Sequence, residues 1–175
     1  MIRVLVSSCL LGERVRYHGG DARRDDPVLE RWLAEGRVVP FCPEVEGGLG
    51  VPRPAAEIRG GDGRSVVEGR AEVVTAAGEI VTEAFAAGAR GALETCRRQG
   101  VRLAVLTDRS PSCGSTLIYD GTFSGTRRPG VGVTCALLED HGIAVFAPDA
   151  LEEARRHLER LEDAEAAGGG TVPSS

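Results

Sequence analysis

Short runs of β-branched and other apolar residues alternate along the chain with longer segments whose apolar residues recur at helical spacing. The runs predict buried strands at Ile2 to Ser7, Arg37 to Phe41, Arg102 to Thr107 and Ile143 to Phe146. The longer segments predict helices near residues 26–35, 79–99, 131–140 and 148–161. This alternation is typical of an α/β protein. We therefore predict a single Rossmann-like domain with a mainly parallel sheet and flanking helices.

Three segments depart from this alternation. Residues 47–63 are rich in Pro and Gly and too irregular for a helix or strand, a feature of functional loops. Leu117 to Phe123 resembles a tight hairpin that turns on Asp120-Gly121. The domain is expected to span residues 1–162. The small, polar residues of 163–175 predict a disordered tail.

Composition narrows the classes of function. A net charge of −5 argues against a nucleic-acid-binding protein, because such proteins need a cationic face. The uncharged runs fall short of the ~18 apolar residues of a membrane span. The apolar stretch before Cys9 is likewise shorter than the ~7–15 residues of a secretory signal. We therefore expect a cytoplasmic protein without membrane partners, whose five reduced cysteines are candidates for metal binding or catalysis.

Three of these cysteines lie where predicted strands end. Cys9 follows the first strand by two residues, Cys42 ends the second, and Cys113 lies in the loop after the third. Ligands of parallel sheets bind at the carboxyl ends of the strands, so we predict that these thiols converge on one site. Cys96 and Cys135 lie instead on the apolar faces of predicted helices, where we expect inert core residues.

Residue chemistry alone leaves several kinds of site open. Three thiolates can hold a catalytic zinc ion with an open coordination position. They can also hold an iron–sulfur cluster in which one iron is free for a substrate. In a third alternative, Cys113 beside a helix N-terminus acts as a thiolate nucleophile of a hydrolase or sulfurtransferase. A cluster could finally sense iron or oxygen, or serve a partner, without catalysis.

Side chains near the three cysteines are candidates for catalysis and substrate binding. Glu44 lies two residues beyond Cys42, where a carboxylate can transfer protons to and from a bound molecule. Ser110 lies three residues before Cys113 and can hydrogen-bond a substrate. Weaker candidates for contact with the substrate are Tyr17, His18, Arg53 and Arg109.

Three blocks of sequence, which together span residues 2 to about 148, carry a family resemblance. The first block is VLVSSCLLG at residues 4–12 with RYHGG at 16–20. The second is CPE at 42–44 with GGL at 47–49 and PRPAAE at 52–57. The third is RSPSCGS at 109–115 with IYDGTFSG at 118–125. With these blocks the sequence resembles the thiouracil desulfidase family, a widespread bacterial family.

The resemblance implies a cofactor and a reaction. It implies a 4Fe–4S cluster held by Cys9, Cys42 and Cys113, with Glu44 and Ser110 as catalytic residues. The iron without a protein ligand would accept the sulfur of a thiolated nucleobase such as 2-thiouracil, without net redox change. Many relatives carry Asp where this chain has His18, a departure that bears on the range of substrates.

Overall fold

The computed structural model describes residues 1–169, in which strands and helices alternate except where β5, β6 and β7 follow one another. The strands are β1 (Arg3–Ser7), β2 (Val38–Phe41), β3 (Ala56–Arg59), β4 (Glu72–Thr75), β5 (Val101–Val105), β6 (Leu117–Tyr119), β7 (Arg127–Pro129) and β8 (Ala144–Phe146). The helices are α1 (Pro27–Ala34), α2 (Pro43–Glu46), α3 (Gly63–Val67), α4 (Thr82–Gln99), α5 (Val133–Asp140) and α6 (Leu151–Gly168). Within residues 1–169, no helix combines the length and apolarity needed to cross a membrane.

Four strands form a parallel sheet in the order β2-β1-β5-β8. The central strands are buried on both faces, which explains their nearly continuous apolar sequence. Because neighbouring residues of a strand point to opposite faces, Leu5 packs in a cluster with residues of α4 and α5, whereas Val4 and Val6 pack with α1 and α6. The predicted single α/β domain with a parallel sheet between helices is thereby confirmed.

Two separate two-stranded antiparallel sheets, β3-β4 and β6-β7, accompany the parallel sheet, and both differ from the sequence prediction. Strand β3 lies inside residues 47–63, a stretch predicted to be irregular, and pairs with β4. The predicted tight hairpin at Leu117 to Phe123 is also wrong, because β6 pairs with β7 across the longer connection 120–126. Strands of three or four residues have too few positions to show a period, so their pairing decides the structure.

The end of the chain differs from the prediction as well. Residues 163–168 were expected to begin a disordered tail, but α6 continues through Gly168. The amphipathic pattern of α6 extends to Leu161, and Glu162 accepts a hydrogen bond from Arg37 at 2.9 Å, which anchors this part of the helix. The remainder of the predicted tail, residues 170–175, lies outside the described residues.

Candidate active site

A cavity of about 610 Å³ lies at the carboxyl ends of β1, β2 and β5. Cys9, Cys42 and Cys113 all line it, so the structure brings these three thiols to one site. Cys96 and Cys135 are buried in the core between the sheet and helices α4 and α5. Cys96 and Cys135 are thus core residues, as predicted.

Cys9 is positioned by the abrupt end of β1. The chain enters a 3₁₀ turn at Ser8–Leu11, and Gly12 closes that turn with a φ of +93°, a conformation that favours glycine. Ser7, the last residue of β1, has a hydroxyl that accepts a hydrogen bond from the Thr107 amide at 3.0 Å. The same hydroxyl lies 3.6 Å from the Cys113 Sγ atom. Ser7 therefore ties the end of β1 to the Cys113 loop.

Cys42 lies at the junction between β2 and α2. It occupies the N-cap position of this short helix, and Pro43 occupies the first helical position, where a missing N–H costs nothing. Helix α4 packs directly against α2, because a Cβ atom at Gly88 would overlap the Pro43 carbonyl, and one at Gly47 would overlap the Ala84 carbonyl. The two glycines thus allow the close approach that fixes Cys42 and Glu44 at the cavity wall.

Asp108 holds the loop that carries Cys113. Its Oδ1 atom accepts hydrogen bonds from four backbone amides at 2.9–3.3 Å, those of Arg109, Ser115, Thr116 and Leu117. Burial would raise the pKa of the Asp108 carboxyl. The hydrogen bonds from Thr116 and from the backbone amides outweigh burial, so the pKa is lowered. A carboxylate therefore gathers both ends of the loop and closes it around Cys113.

The N-terminus of α5 lies against the same loop. The Val133 and Thr134 amides donate to the carbonyls of Pro111 and Ser112 at 2.8 and 2.9 Å. A Cβ atom at Gly132 would overlap the Ser112 carbonyl, so glycine permits this approach. These amides are committed to loop carbonyls and are not directed at a thiolate, which disfavours the alternative in which the helix N-terminus activates Cys113.

The environment of the three thiols favours their protonated forms in the absence of a cation. Burial raises the pKa of Cys9 to about 11, the charge of Cys42 adds to this effect, and Arg16 partly offsets it. Burial also raises the pKa of Cys42 and raises that of Cys113 far above its usual range. A bound cation would offset the cost of burying thiolates, so the donor set fits a metal centre with thiolate ligands.

The arrangement is that of separate thiols around a shared cavity. Within residues 1–169, no group of three or more His, Cys, Asp or Glu side chains is gathered tightly enough to hold one metal ion. A cluster contains several irons, so each thiolate can bind its own iron. Separation of the thiols is therefore compatible with a cluster ligand set.

Glu44 lies on the cavity wall with both carboxylate oxygens in hydrogen-bond contact. Its Oε1 atom is 3.2 Å from the Arg53 Nε atom. Its Oε2 atom accepts from the Ser112 hydroxyl at 2.8 Å and lies 3.3 Å from the Ser110 hydroxyl. The carboxylate is largely buried, with 16% of its side chain exposed, and is held in one orientation by these contacts.

Arg53 donates hydrogen bonds both to Glu44 and to backbone carbonyls of two neighbouring loops. Besides the contact with Glu44, its Nη1 atom donates to the Gly50 carbonyl at 3.0 Å and its Nη2 atom to the Val15 carbonyl at 2.8 Å. The side chain is 6% exposed. Arg53 was predicted as a substrate contact, and it does line the cavity. Its hydrogen bonds show that its main contacts are within the protein.

The other candidates for substrate contact differ in position. Tyr17 and Arg109 are exposed and line the cavity, and Arg109 has a φ of +66°, which is unusual for a residue other than glycine. His18 is not among the described residues that line it. Its Nδ1 atom accepts from the Gly20 amide at 3.0 Å, and its ring meets the edge of the Tyr17 ring at a centroid distance of 4.8 Å.

Ser112 and Phe123 are among the residues of the site that the sequence analysis did not predict. Ser112 is fully buried and contacts Glu44 across 68 positions of sequence. Phe123 lines the cavity with a φ of +56°, and Glu57 anchors its amide at 3.2 Å. Both residues lie inside the sequence blocks RSPSCGS and IYDGTFSG. Membership in those blocks is the signal that could have identified them, because neither shows a local pattern of its own.

Comparisons with known proteins give a consistent result. The model of a family described as 2-thiouracil desulfurase matches residues 4–150. YbbK of Bacillus subtilis (strain 168), described as an uncharacterized protein, is 43% identical over 150 residues, which cover 86% of this chain and 98% of that protein. The solved structure of the 4Fe–4S-dependent thiouracil desulfidase TudS (DUF523Vcz) matches with a TM-score of 0.83 and 46% identity, over 91% of this chain and 99% of that chain.

Proposed function

Because the chain belongs to the 2-thiouracil desulfurase family, we propose that it removes sulfur from a thiolated nucleobase such as 2-thiouracil. The observation that carries this proposal is a single cavity lined by thiols from three strand ends, by the Glu44 carboxylate and by the Ser110 hydroxyl. The relative TudS is a 4Fe–4S-dependent thiouracil desulfidase, and its similarity over 91% of this chain supports the same activity here.

Cys9, Cys42 and Cys113 are the proposed ligands of a 4Fe–4S cluster. They are the three cysteines that line the cavity, and thiolates are the usual protein ligands of such clusters. When bound, the cluster supplies an iron without a protein ligand, which can act as a Lewis acid toward the sulfur of a thiocarbonyl group without net redox change. The elevated thiol pKa values are consistent with ligands that need a cation to ionise.

The reaction needs one water molecule and yields a carbonyl compound and hydrogen sulfide. We assign Glu44 as the group that accepts a proton from the attacking water at a carboxylate oxygen and returns a proton to the departing sulfur. Arg53 holds the Glu44 carboxylate toward the cavity. Ser110 contributes to the cavity wall beside Glu44, where it lies against the heterocycle, and Tyr17 and Arg109 contribute to the wall around the ring.

We also expect the protein to act in the cytoplasm. All five cysteines are free, and a site built on reduced thiols requires a reducing compartment. A small thiolated base fits the site better than a nucleic acid, because the chain has a net charge of −5 and the site is a cavity rather than an open basic surface.

Anaerobic reconstitution followed by incubation with 2-thiouracil tests the proposal. We expect a brown protein that releases sulfide and forms uracil in equal amounts, whereas Cys42→Ala should do neither. A protein with a full cluster that releases no sulfide from thiolated pyrimidines would contradict the desulfidase function and favour a sensor. A colourless, active protein with stoichiometric zinc would contradict the cluster and favour the zinc-dependent alternative.

A further inference from the structure

Ser112 lies between the two candidate catalytic side chains. Its hydroxyl oxygen is 2.8 Å from the Oε2 atom of Glu44 and 2.8 Å from the hydroxyl oxygen of Ser110. It also lies 3.5 Å from the Cys113 Sγ atom. The side chain is fully buried and is not among the described residues that line the cavity. Ser112 therefore contacts the catalytic groups from behind, without reaching a molecule bound in front of them.

A count of protons and lone pairs fixes the direction of these hydrogen bonds. The Ser110 hydroxyl oxygen accepts from the backbone amides of Ser112 and Cys113 at 3.1 and 3.2 Å, which uses both of its lone pairs. Ser110 can then only donate, and its nearest acceptor is the Ser112 oxygen. The Ser112 proton is left for one acceptor, and the Glu44 carboxylate is both closer than the sulfur atom of Cys113 and a stronger acceptor.

We propose that Ser112 is a positioning residue for the reaction. Its single proton holds Glu44 Oε2 in place, and its lone pair holds the Ser110 hydroxyl, so that one buried side chain sets the orientation of both groups. Donation to a carboxylate polarises the Ser112 oxygen and makes it a better acceptor, which strengthens the chain from Ser110 through Ser112 to Glu44. The inference rests on the proposed desulfidase function and extends it to a residue that does not touch the substrate.

The same loop offers a matched control. Ser115 lies three residues further on, and its hydroxyl oxygen is buried without a hydrogen-bond partner in the described part of the chain. Ser112→Ala and Ser115→Ala remove the same atom from the same loop. Only Ser112→Ala removes a hydrogen bond to the catalytic groups, so the pair separates positioning from a general effect on the loop.

The effect of Ser112→Ala can also be measured in a protein that already carries Glu44→Gln. Arg53 donates to one oxygen of Glu44, so the amide side chain of the Glu44→Gln variant should turn its carbonyl oxygen toward Arg53 and its nitrogen toward Ser112. An amide nitrogen cannot accept the Ser112 proton. The effect of Ser112→Ala should therefore disappear in the Glu44→Gln background, whereas a damaged loop would be damaged in both backgrounds.

The experiment measures iron content, kcat and KM for 2-thiouracil in the four variants made by combining Ser112→Ala with Glu44→Gln, and in Ser115→Ala. We expect Ser112→Ala to keep full iron and an unchanged KM but to lose kcat by about 10- to 100-fold, as misplaced catalytic groups do. In the Glu44→Gln background we expect no further loss. Ser115→Ala should match the wild type. Equal losses in both backgrounds, or a Ser112→Ala enzyme with wild-type kcat, would overturn the proposal.

Thermal unfolding of the iron-free chain tests the same contact without any activity. We expect Ser112→Ala to lower the midpoint, and we expect this effect to be much smaller when Glu44→Gln is already present. Additive effects of Ser112→Ala and Glu44→Gln would overturn the positioning role even if the protein proved to have another substrate. Failure of the proposed function would instead appear as a wild-type protein with a full cluster that releases no sulfide.

Discussion

Cys113 and Cys96 have nearly the same exposure, 4% and 1%, yet they lie in different surroundings. Cys113 lies in a loop at the carboxyl end of the sheet, with the hydroxyls of Ser7 and Ser112 near its sulfur and the charges of Cys9 and Glu44 nearby. Cys96 lies on α4 among apolar side chains, and burial alone raises its pKa, to about 12. Burial is therefore a poor guide to the role of a cysteine.

Cys135 makes the comparison sharper, because it is as deeply buried as Cys96 and yet has a polar partner. Its Sγ atom lies 3.0 Å from the Glu139 Oε1 atom on the same helix, and Cys135 is not among the described residues that line the cavity. What separates the three cavity cysteines from the two core cysteines is access to a common space and to polar partners from other strand ends.

The largest expected effect is on iron binding. Replacement of Cys42 by Ala should abolish or severely weaken cluster binding, because two thiolates remain on the cavity. Cys9→Ala and Cys113→Ala should do the same, whereas Cys96→Ala and Cys135→Ala should bind a full complement. Iron per chain after anaerobic reconstitution checks all five variants. Full iron in Cys42→Ala, or loss of iron in a folded Cys96→Ala, would contradict the assignment of cavity cysteines as ligands and of core cysteines as inert.

A smaller effect is expected for Glu44, which lines the cavity but is not a proposed ligand of the cluster. Glu44→Gln keeps the shape of the side chain and cannot exchange a proton, so turnover should fall by about 10²–10⁴-fold while iron content stays normal. Sulfide release and iron must be measured on the same sample, since loss of the cluster would imitate loss of the base. Near-normal turnover in a variant with full iron would remove Glu44 from the mechanism.

The smallest effect concerns Cys96 and protein stability at high pH. Its pKa is raised from 9.0 to about 12 in the folded chain, so the unfolded chain loses this proton first as the pH rises. Cys96 therefore stabilises the fold fully below about pH 9, and this contribution falls by up to about 1.4 kcal/mol per pH unit above it.

The variant Cys96→Ala isolates this contribution. Its stability should decline less than that of the wild type between about pH 8 and about pH 10.5, as measured by urea unfolding of reduced, iron-free protein. Parallel decline of the two proteins would mean that Cys96 ionises as readily in the folded chain as in the unfolded chain. Cys96 would then be less well packed than its position among apolar residues indicates.

The sequence was sufficient to predict the sheet that builds the site. The sequence predicted a shared site for Cys9, Cys42 and Cys113. The strands before these cysteines are continuous apolar runs, and the carboxyl ends of parallel strands lie at one edge of the sheet. The four predicted helices differ from the structure only at their ends, as at α6, which continues through Gly168. The short helices α2 and α3 were not predicted. Local patterns of this kind are strong because burial on both faces imposes them residue by residue.

The features that were not predicted depend on contacts between residues that are far apart in the sequence. Strands β3 and β4 are four residues each and acquire their structure by pairing with one another. The contact of Ser112 with Glu44 depends on the hydrogen bonds of Asp108 within the loop, on the close approach of α2 to α4, and on that of the N-terminus of α5 to the loop. The spacing of apolar residues along the sequence does not indicate such contacts. Glu44 and Ser110 were predicted from their positions near the cysteines and from the family resemblance, but the serine that contacts both became visible only in three dimensions.

Mössbauer spectroscopy of the iron-loaded chain tests the central claim most directly, because it observes the iron that the proposed three-thiol site would leave without a protein ligand. We expect one iron that differs from the other three, and 2-thiouracil should change the signal of that iron while uracil leaves it unchanged. Four equivalent irons, or a spectrum that 2-thiouracil does not alter, would contradict a three-cysteine site whose open iron accepts the sulfur of the substrate.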